Sequence, residues 1–244
     1  MESSLHRELK ARYGGEGGTC EVKRGPYRAD AVAPDGAWIE VQSGPLGPLR
    51  PKLRALLPAQ AVRVVKPVPV ARSIVRRGRG AAADARPRRS PWKGAIGDVF
   101  DDLVGLVAVF PHPNLAVDVL AVEVEEHRAP RRRRPGYAVA DRRLVTIREA
   151  VTLRGAADLW RLLPAVPEAC DAFTTAELAA WLDRPRAHAQ RVAYCLRLAG
   201  AAEVVGKRAG ARLYRRAEPV APAEPIRAPR RPRRRALDPA LPAG

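Results

Sequence analysis

Asp30, Glu40 and Gln42 flank the tripeptide Pro34-Asp35-Gly36, and that tripeptide fixes how they face one another. A three-residue hairpin loop is a type I turn followed by one residue in the left-handed region, and Pro, Asp and Gly suit those places in that order. With the loop set, Ala33 opposes Ala37, Ala31 opposes Ile39 and Ala29 opposes Val41, while on the other face Asp30 stands across from Glu40, flanked by Arg28 and Gln42. Two opposed carboxylates repel, so something must offset them. A divalent cation is one answer. Oxygens from Asp30 and Glu40, completed by the Val41 carbonyl and waters, are hard ligands that Mg²⁺ (or Mn²⁺) accepts while keeping positions open for a phosphate oxygen and an attacking water. Gln42, two residues past Glu40, can orient that water. The other answer is a salt bridge from Arg28 on a solvated sheet face.

The elements that would position these residues follow in a definite order. Helical spacing covers Leu5 to Tyr13, a Gly-rich turn follows, and short strands are expected near Thr19–Val22, Tyr27–Ala33 and Ala37–Gln42. An amphipathic helix then runs through LRPKLRALL, with Leu49, Leu53, Leu56 and Leu57 inward, before a strand at VRVV, residues 62–65. The order is α-β-β-β-α-β. Beyond it, a helix is expected in GAIGDVFDDLVGLV, and LAVDVLAVEVEE and YAVADRRLVTI read as a hairpin whose tip carries Arg131 to Arg134.

This order, with Asp-x₉-Glu-x-Gln split across a hairpin, resembles the PD-(D/E)XK nuclease superfamily. The stretch YRADAVAPDGAWIEVQSGPLGPLRPKLRALLPAQAVRVVKPV is also similar to a prokaryotic family of such proteins with a winged-helix C-terminus, in which a strand like IE[VI]Q precedes a basic helix. The resemblance extends through residue 216, with its sharpest motifs in 8–53 and 170–216. It implies a Mg²⁺-dependent phosphodiesterase in which Asp30 and Glu40 are the metal carboxylates and Glu8, on the first helix, is an accessory acidic residue. Gln42 stands where the family pattern has lysine. A neutral amide cannot stabilise a developing oxyanion as an ammonium does, and Lys52 on the second helix is the candidate to supply that charge.

The C-terminal segment carries its own signals. Thr174-Thr175-Ala176-Glu177 fits a capping box ahead of Leu178, Trp181 and Leu182. Pro185 opens a second helix with Ala189, Val192, Ala193, Leu196 and Ala199 on one face, and Gly200 ends it. Strand-like stretches at 202–205 and 212–215 flank the tip Gly206 to Gly210. The series reads as a winged helix-turn-helix, with Arg186, Gln190 and Arg191 as contacts to bases or phosphates and Lys207 and Arg208 on the wing. Trp181 and Tyr194 are expected in the core.

Composition agrees with a polyanionic partner. The formal charge is +18 over 244 residues, carried mostly by arginine, which favours phosphate neutralisation and DNA as partner. An arginine bias of this kind also follows from base composition alone. Cys20, Cys170 and Cys195 lack any zinc spacing and are expected as thiols, and His6, His112, His127 and His188 are too scattered to form a ligand or triad pattern. No apolar run approaches the ~18 residues of a membrane span and no signal-peptide pattern opens the chain, so a cytoplasmic protein is expected.

The whole reads as an α+β chain: a nuclease-like αβββαβ core over 1–75, a basic linker over 76–91, a helix and hairpin over 92–148, a winged helix over 149–216 and a basic, Pro-rich tail over 217–244 that includes RRPRRR at 230–235. Three functions fit: a metal-dependent DNA endonuclease or nickase, a non-catalytic DNA-binding regulator with a degenerate core, or a protein-interaction adaptor. Pairing of two copies to cut two strands, through the middle segment, is implied only by analogy with the superfamily.

Overall fold

Apolar side chains at nearly every position of residues 62–68 and 115–124 require strands covered on both faces, and that burial organises the molecule. The computed structural model describes residues 2–15, 19–24, 26–76, 86–131, 136–168 and 170–218. Helix α1 (Ser4–Gly14) is followed by β1 (Thr19–Arg24), β2 (Tyr27–Val32), β3 (Trp38–Val41), α2 (Arg50–Leu56) and β4 (Val62–Arg76). Then come β5 (Arg88–Arg89), α3 (Phe100–Leu103) and the long pair β6 (Leu115–Pro130) and β7 (Tyr137–Leu153). The chain closes with α4 (Thr175–Leu182), α5 (Arg186–Leu198), β8 (Ala202–Arg208) and β9 (Ala211–Arg216). It is a mixed α+β protein with a mixed sheet.

The main sheet has the order β1-β2-β3-β4-β6-β7, with β5 on the end of β4. Neighbours β1/β2, β2/β3 and β6/β7 are antiparallel, while β3/β4 and β4/β6 are parallel. The expected αβββαβ order is present, but the expected hairpin of residues 115–147 is not a separate unit. Its first strand lies against β4, so the boundary placed at 76–91 separates two strands of one sheet. β7 continues to Leu153, opposite Val117, so the boundary placed at 148/149 falls inside a strand. Of the expected linker, residues 77–85 lie outside the described residues and Arg88–Arg89 pair with Ile74 and Ser73.

Strand β4 is far longer than the expected 62–65, although it contains Pro67 and Pro69. The Gln42 N–H donates to the Val65 carbonyl, and alternation from Val65 aims the nitrogens of residues 67 and 69 toward the β3 side as well. β3 has already ended there, with Val41 opposite Val65, so neither proline removes a ladder donor. A register shift between Pro69 and Ala71 then brings the Val70 and Arg72 carbonyls to this edge, where Gly94 and Ser90 donate to them.

Two cores result. On one face, Leu5 and Leu9 of α1 pack against Ala31, Ile39, Val41, Val65, Leu120, Val122 and Val124. On the other, Leu53 of α2 and its C-cap Leu57, Phe100 and Leu103 from α3, and Phe173, Leu178, Val192 and Leu196 from the C-terminal segment share a core with Val62, Val64 and Val117. The expected helix of residues 94–107 is broken into a 3₁₀ turn (Ile96–Val99), the single turn of α3, and a further 3₁₀ turn (Val107–Val109). Its glycines serve close packing instead. A Cβ on Gly105 would stand 2.7 Å from the Gly47 backbone, and one on Gly97 would stand 3.0 Å from the Leu162 carbonyl.

Helices α4 and α5 and the β8/β9 ribbon form where expected. Thr174 and Glu177 make the reciprocal cap, and Gly200 adopts φ +81° after α5. The unit is tied down by Trp160 Nε1–H donating to the Ala201 carbonyl at 3.0 Å and by Phe173 stacked on Tyr214, ring centroids 5.9 Å apart. Trp181 packs against this core as expected, whereas Tyr194 is 41% exposed, because its turn of α5 faces away from α3. No helix among the described residues is long and apolar enough to cross a membrane.

Candidate functional site

The loop Pro34-Asp35-Gly36 closes the β2–β3 hairpin in the expected register. Ala33 and Ala37 are bonded across it, Ala31 pairs with Ile39, and Gly36 sits at φ +86°. Asp35 Oδ1 accepts from the Ala37 N–H at 3.0 Å, an Asx turn that locks the loop. The ladder then stops. Where Ala29 was expected to pair with Val41, the Asp30 carboxylate takes the Val41 N–H instead, Oδ2 accepting at 2.8 Å. Alternation along β3 aims the Val41 carbonyl toward the same side, beyond the last β2–β3 pair. Asp30 and Glu40 therefore meet at the point where two strands part.

Neither carboxylate is left uncompensated. Lys52, in the first turn of α2, places Nζ on Glu40 Oε1 and also donates to the Arg28 carbonyl. His6 Nε2, from α1, lies 3.5 Å from Asp30 Oδ2. Burial pushes the Glu40 carboxyl above its ordinary pKa despite the neighbouring Lys52. Burial raises Asp30 too, but the His6 ring and the Val41 N–H outweigh it and hold Asp30 below the ordinary value. The hydrogen bond to Asp30 in turn raises His6 against the effect of its own burial. Arg28 is not the counter-ion, since it pairs with Glu21 on β1.

Asp30, Glu40 and Lys52 are thus brought together, with the Val41 backbone between them. Gln42 continues the strand, but its Nε2 donates to the Pro45 carbonyl at 2.9 Å, turning the amide into its own loop. Glu8 is exposed on α1, away from Asp30, because the residue that α1 turns toward the strands is His6. His6 carried no signal in the sequence. It lies two residues before Glu8 and one residue after the buried Leu5, on a helix whose placement over β2 depends on packing.

Asp30 and Glu40 supply carboxylate oxygens, the donor type a hard divalent ion would take. The partners named above engage one oxygen of each carboxylate, Oδ2 of Asp30 and Oε1 of Glu40. Mg²⁺ commonly uses one or two carboxylates and completes its shell with water and phosphate oxygens. Among the described residues no group of three or more His, Cys, Asp or Glu side chains is arranged as a metal cage. An ion here would be held mainly by water and substrate.

A second polar surface lies on α5. Arg186, Gln190, Tyr194 and Arg197 recur along one face and, with Thr175, Arg212 and Tyr214, line a groove between α5 and β9. The opposite face packs on α3, where Arg191 Nη1 and His188 Nδ1 each lie 3.0 Å from Asp101 Oδ1. Of the expected DNA contacts, Arg186 and Gln190 open into the groove and Lys207 is exposed on β8. Arg191 is paired with Asp101, and Arg208 Nη1 lies 2.8 Å from Glu177 Oε1.

Among proteins of known sequence, one from Treponema pallidum (strain Nichols), called "Uncharacterized protein", is 29% identical over 225 residues, covering 89% of this chain and 86% of that one. No solved structure matches. Residues 3–154, which run from the N-cap of α1 to the end of β7 and so take in the whole seven-stranded sheet, match a family described as Domain of unknown function (DUF8091). The match covers more than half of the chain, which therefore belongs to the DUF8091 family.

Proposed function

We propose that this protein is a metal-dependent DNA endonuclease or nickase of the PD-(D/E)XK type, with the α4-α5-β8-β9 unit acting as a winged helix-turn-helix that places it on DNA. The observation that carries the reading is the delivery of Lys52 Nζ from α2 to Glu40, opposite Asp30, at the open end of a β-hairpin. That arrangement restores, from another element, the ammonium that Gln42 lacks. Asp30, Glu40 and the Val41 carbonyl would hold Mg²⁺ or Mn²⁺, which would supply Lewis-acid polarisation of a phosphoryl oxygen and an acidified water. Lys52 orients Glu40 in the free protein and stands where its charge can stabilise the extra negative charge of a phosphorane-like transition state. His6 holds Asp30 ionised and in place. With its nitrogen bonded to Pro45, Gln42 keeps its amide oxygen as the acceptor that can align a water.

A second reading has its own observation: Lys52 and His6 already offset the two carboxylates, so the site is electrostatically complete without a cation. The core would then be a non-catalytic scaffold for DNA binding. Plasmid nicking with Mg²⁺ or Mn²⁺, beside calorimetric titration of the metal, separates the two. The nuclease reading expects Asp30→Ala and Glu40→Ala to lose the metal. It expects Lys52→Ala to keep the metal but cut at least about 100-fold more slowly, the effect of removing one strong oxyanion partner. Gln42→Lys is expected to retain or raise activity. Metal binding with no cleavage of duplex, branched or single-stranded DNA, even by Gln42→Lys, would leave the scaffold reading in place.

A further inference from the structure

The β5 edge bears an exposed tryptophan inside a cluster of exposed cations. Arg88, Arg89 and Lys93 are solvent-exposed, and no carboxylate among the described residues forms an ion pair with any of them. Trp92, between them, is 38% exposed. Its ring is not loose cover. The Arg72 guanidinium lies 4.6 Å from the ring centroid, the Trp92 N–H donates to Ser90 Oγ at 3.3 Å, and Ser90 and Gly94 are bonded to the β4 edge on either side. Gly94 is packed so closely that a Cβ would meet the Pro69 carbonyl at 2.5 Å and the indole at 2.7 Å. The backbone thus holds an aromatic plane at the surface, surrounded by positive charge.

From Trp92 a cleft of about 340 Å³ leads along Arg72, Pro69 and Lys66 to Ser43, the residue after Gln42. Its carboxylates carry their own counter-ions: Asp102 is 2.6 Å from Lys66, Asp98 is 2.9 Å from Arg184, Asp101 pairs with Arg191, and Glu126 pairs with Arg128 and Arg142. From Val64, beside Glu40, to Arg72, β4 spans roughly 25 Å at about 3.3 Å per residue. The cleft ends at Ser43, three residues along the chain from Glu40.

We infer that the β5 edge is a binding surface for single-stranded nucleic acid, with Trp92 stacking on a base and Arg88, Arg89 and Lys93 meeting phosphates. Fixed aromatic planes among cations take unpaired bases, whereas duplex DNA keeps its base faces covered. The inference rests on the nucleic-acid reading above and deepens it, because it names an unpaired strand as what reaches the site.

The test uses the full chain, with oligo(dT) and oligo(U) of about 10 nucleotides, a duplex of the same length, heparin and poly-glutamate as probes, and melting curves to confirm folding of each variant. Trp92→Ala should weaken binding of the single strands about tenfold or more while leaving heparin binding unchanged, and Trp92→Phe should retain most of the affinity. Oligo(dT) and oligo(U) distinguish DNA from RNA. Arg88→Ala with Arg89→Ala should lower the log–log salt slope by about 1.4. Unchanged single-strand affinity in a folded Trp92→Ala variant overturns the inference and leaves the nucleic-acid reading intact, as does binding of duplex alone. Equal dependence of poly-glutamate binding on Trp92 assigns the surface to an acidic protein and also overturns it. If the wild type binds no nucleic acid, both readings fall.

Discussion

Glycine 36 shows how much of the candidate site hangs on one residue's backbone. The loop needs φ +86° there, and a side chain would meet nothing within 4 Å, so the cost of a substitution is conformational and not steric crowding. Gly36→Ala is expected to destabilise the protein by about 1 kcal/mol and lower Tm by about 2–4 °C, measured by thermal unfolding. An unchanged Tm would mean that the loop tolerates another turn type, and with it another register between Asp30 and Glu40. The register was readable because Pro-Asp-Gly specifies the turn chemically. What the Asp30 carboxylate does was not readable, because accepting the Val41 N–H requires the two strands to part just there. Lys52 was readable as a compensating charge, its spacing on a helix being local. His6 was not, since nothing in its neighbourhood shows which strand α1 will cover.

Helix α1 is held over the sheet by Leu5 and Leu9, and its N-terminus is also fixed from the far edge. Asp141 on β7 accepts from the Ser4 N–H at 2.8 Å and from Ser4 Oγ at 2.6 Å, placing an anion on the helix N-terminus. Burial raises the Asp141 carboxyl, but its bonds to Ser4 and to the Arg142 N–H outweigh burial and leave it below the ordinary value. A depressed carboxylate contributes stability that is present above the unfolded pKa of about 3.9 and is lost as pH falls through the folded value. Asp141→Asn, which keeps the shape and removes the charge, should lower Tm by about 2–4 °C at neutral pH. The deficit should shrink as the pH is taken below about 3.9, and a deficit that persists unchanged in acid would mean that the charge is not what holds α1. Element order was legible because each strand and helix has its own period. The reach of β4 was not: the strand was expected only over 62–65, and the sheet edge that Pro67 and Pro69 face explains why it runs on to Arg76.

At the scale of the whole molecule, the sequence shows the parts but not the joins. Pairing of β4 with β6 crosses the expected linker, and no local pattern encodes a parallel partner so far along the chain. The same limit governs the basic residues, since arginines that look alike in sequence are sorted by what packs beside them. The α5 face bearing His188, Arg191 and Cys195 is turned to α3, and the face bearing Arg186, Gln190 and Tyr194 is turned to the groove beside Arg212. The RRPRRR cluster at 230–235 lies outside the described residues. Removing one side chain that neutralises a phosphate lowers the salt dependence of duplex binding by about 0.9 in log–log slope. Arg186→Ala with Arg212→Ala should therefore weaken duplex binding and reduce the slope by about 1.8, measured from about 50 to 200 mM salt. Arg191→Ala removes a partner of Asp101 instead, and should lower Tm while leaving the slope nearly unchanged. If Arg191→Ala flattens the slope as far as the double variant does, the groove is not the face that meets the duplex, and the α5 surface must be turned the other way in the complex.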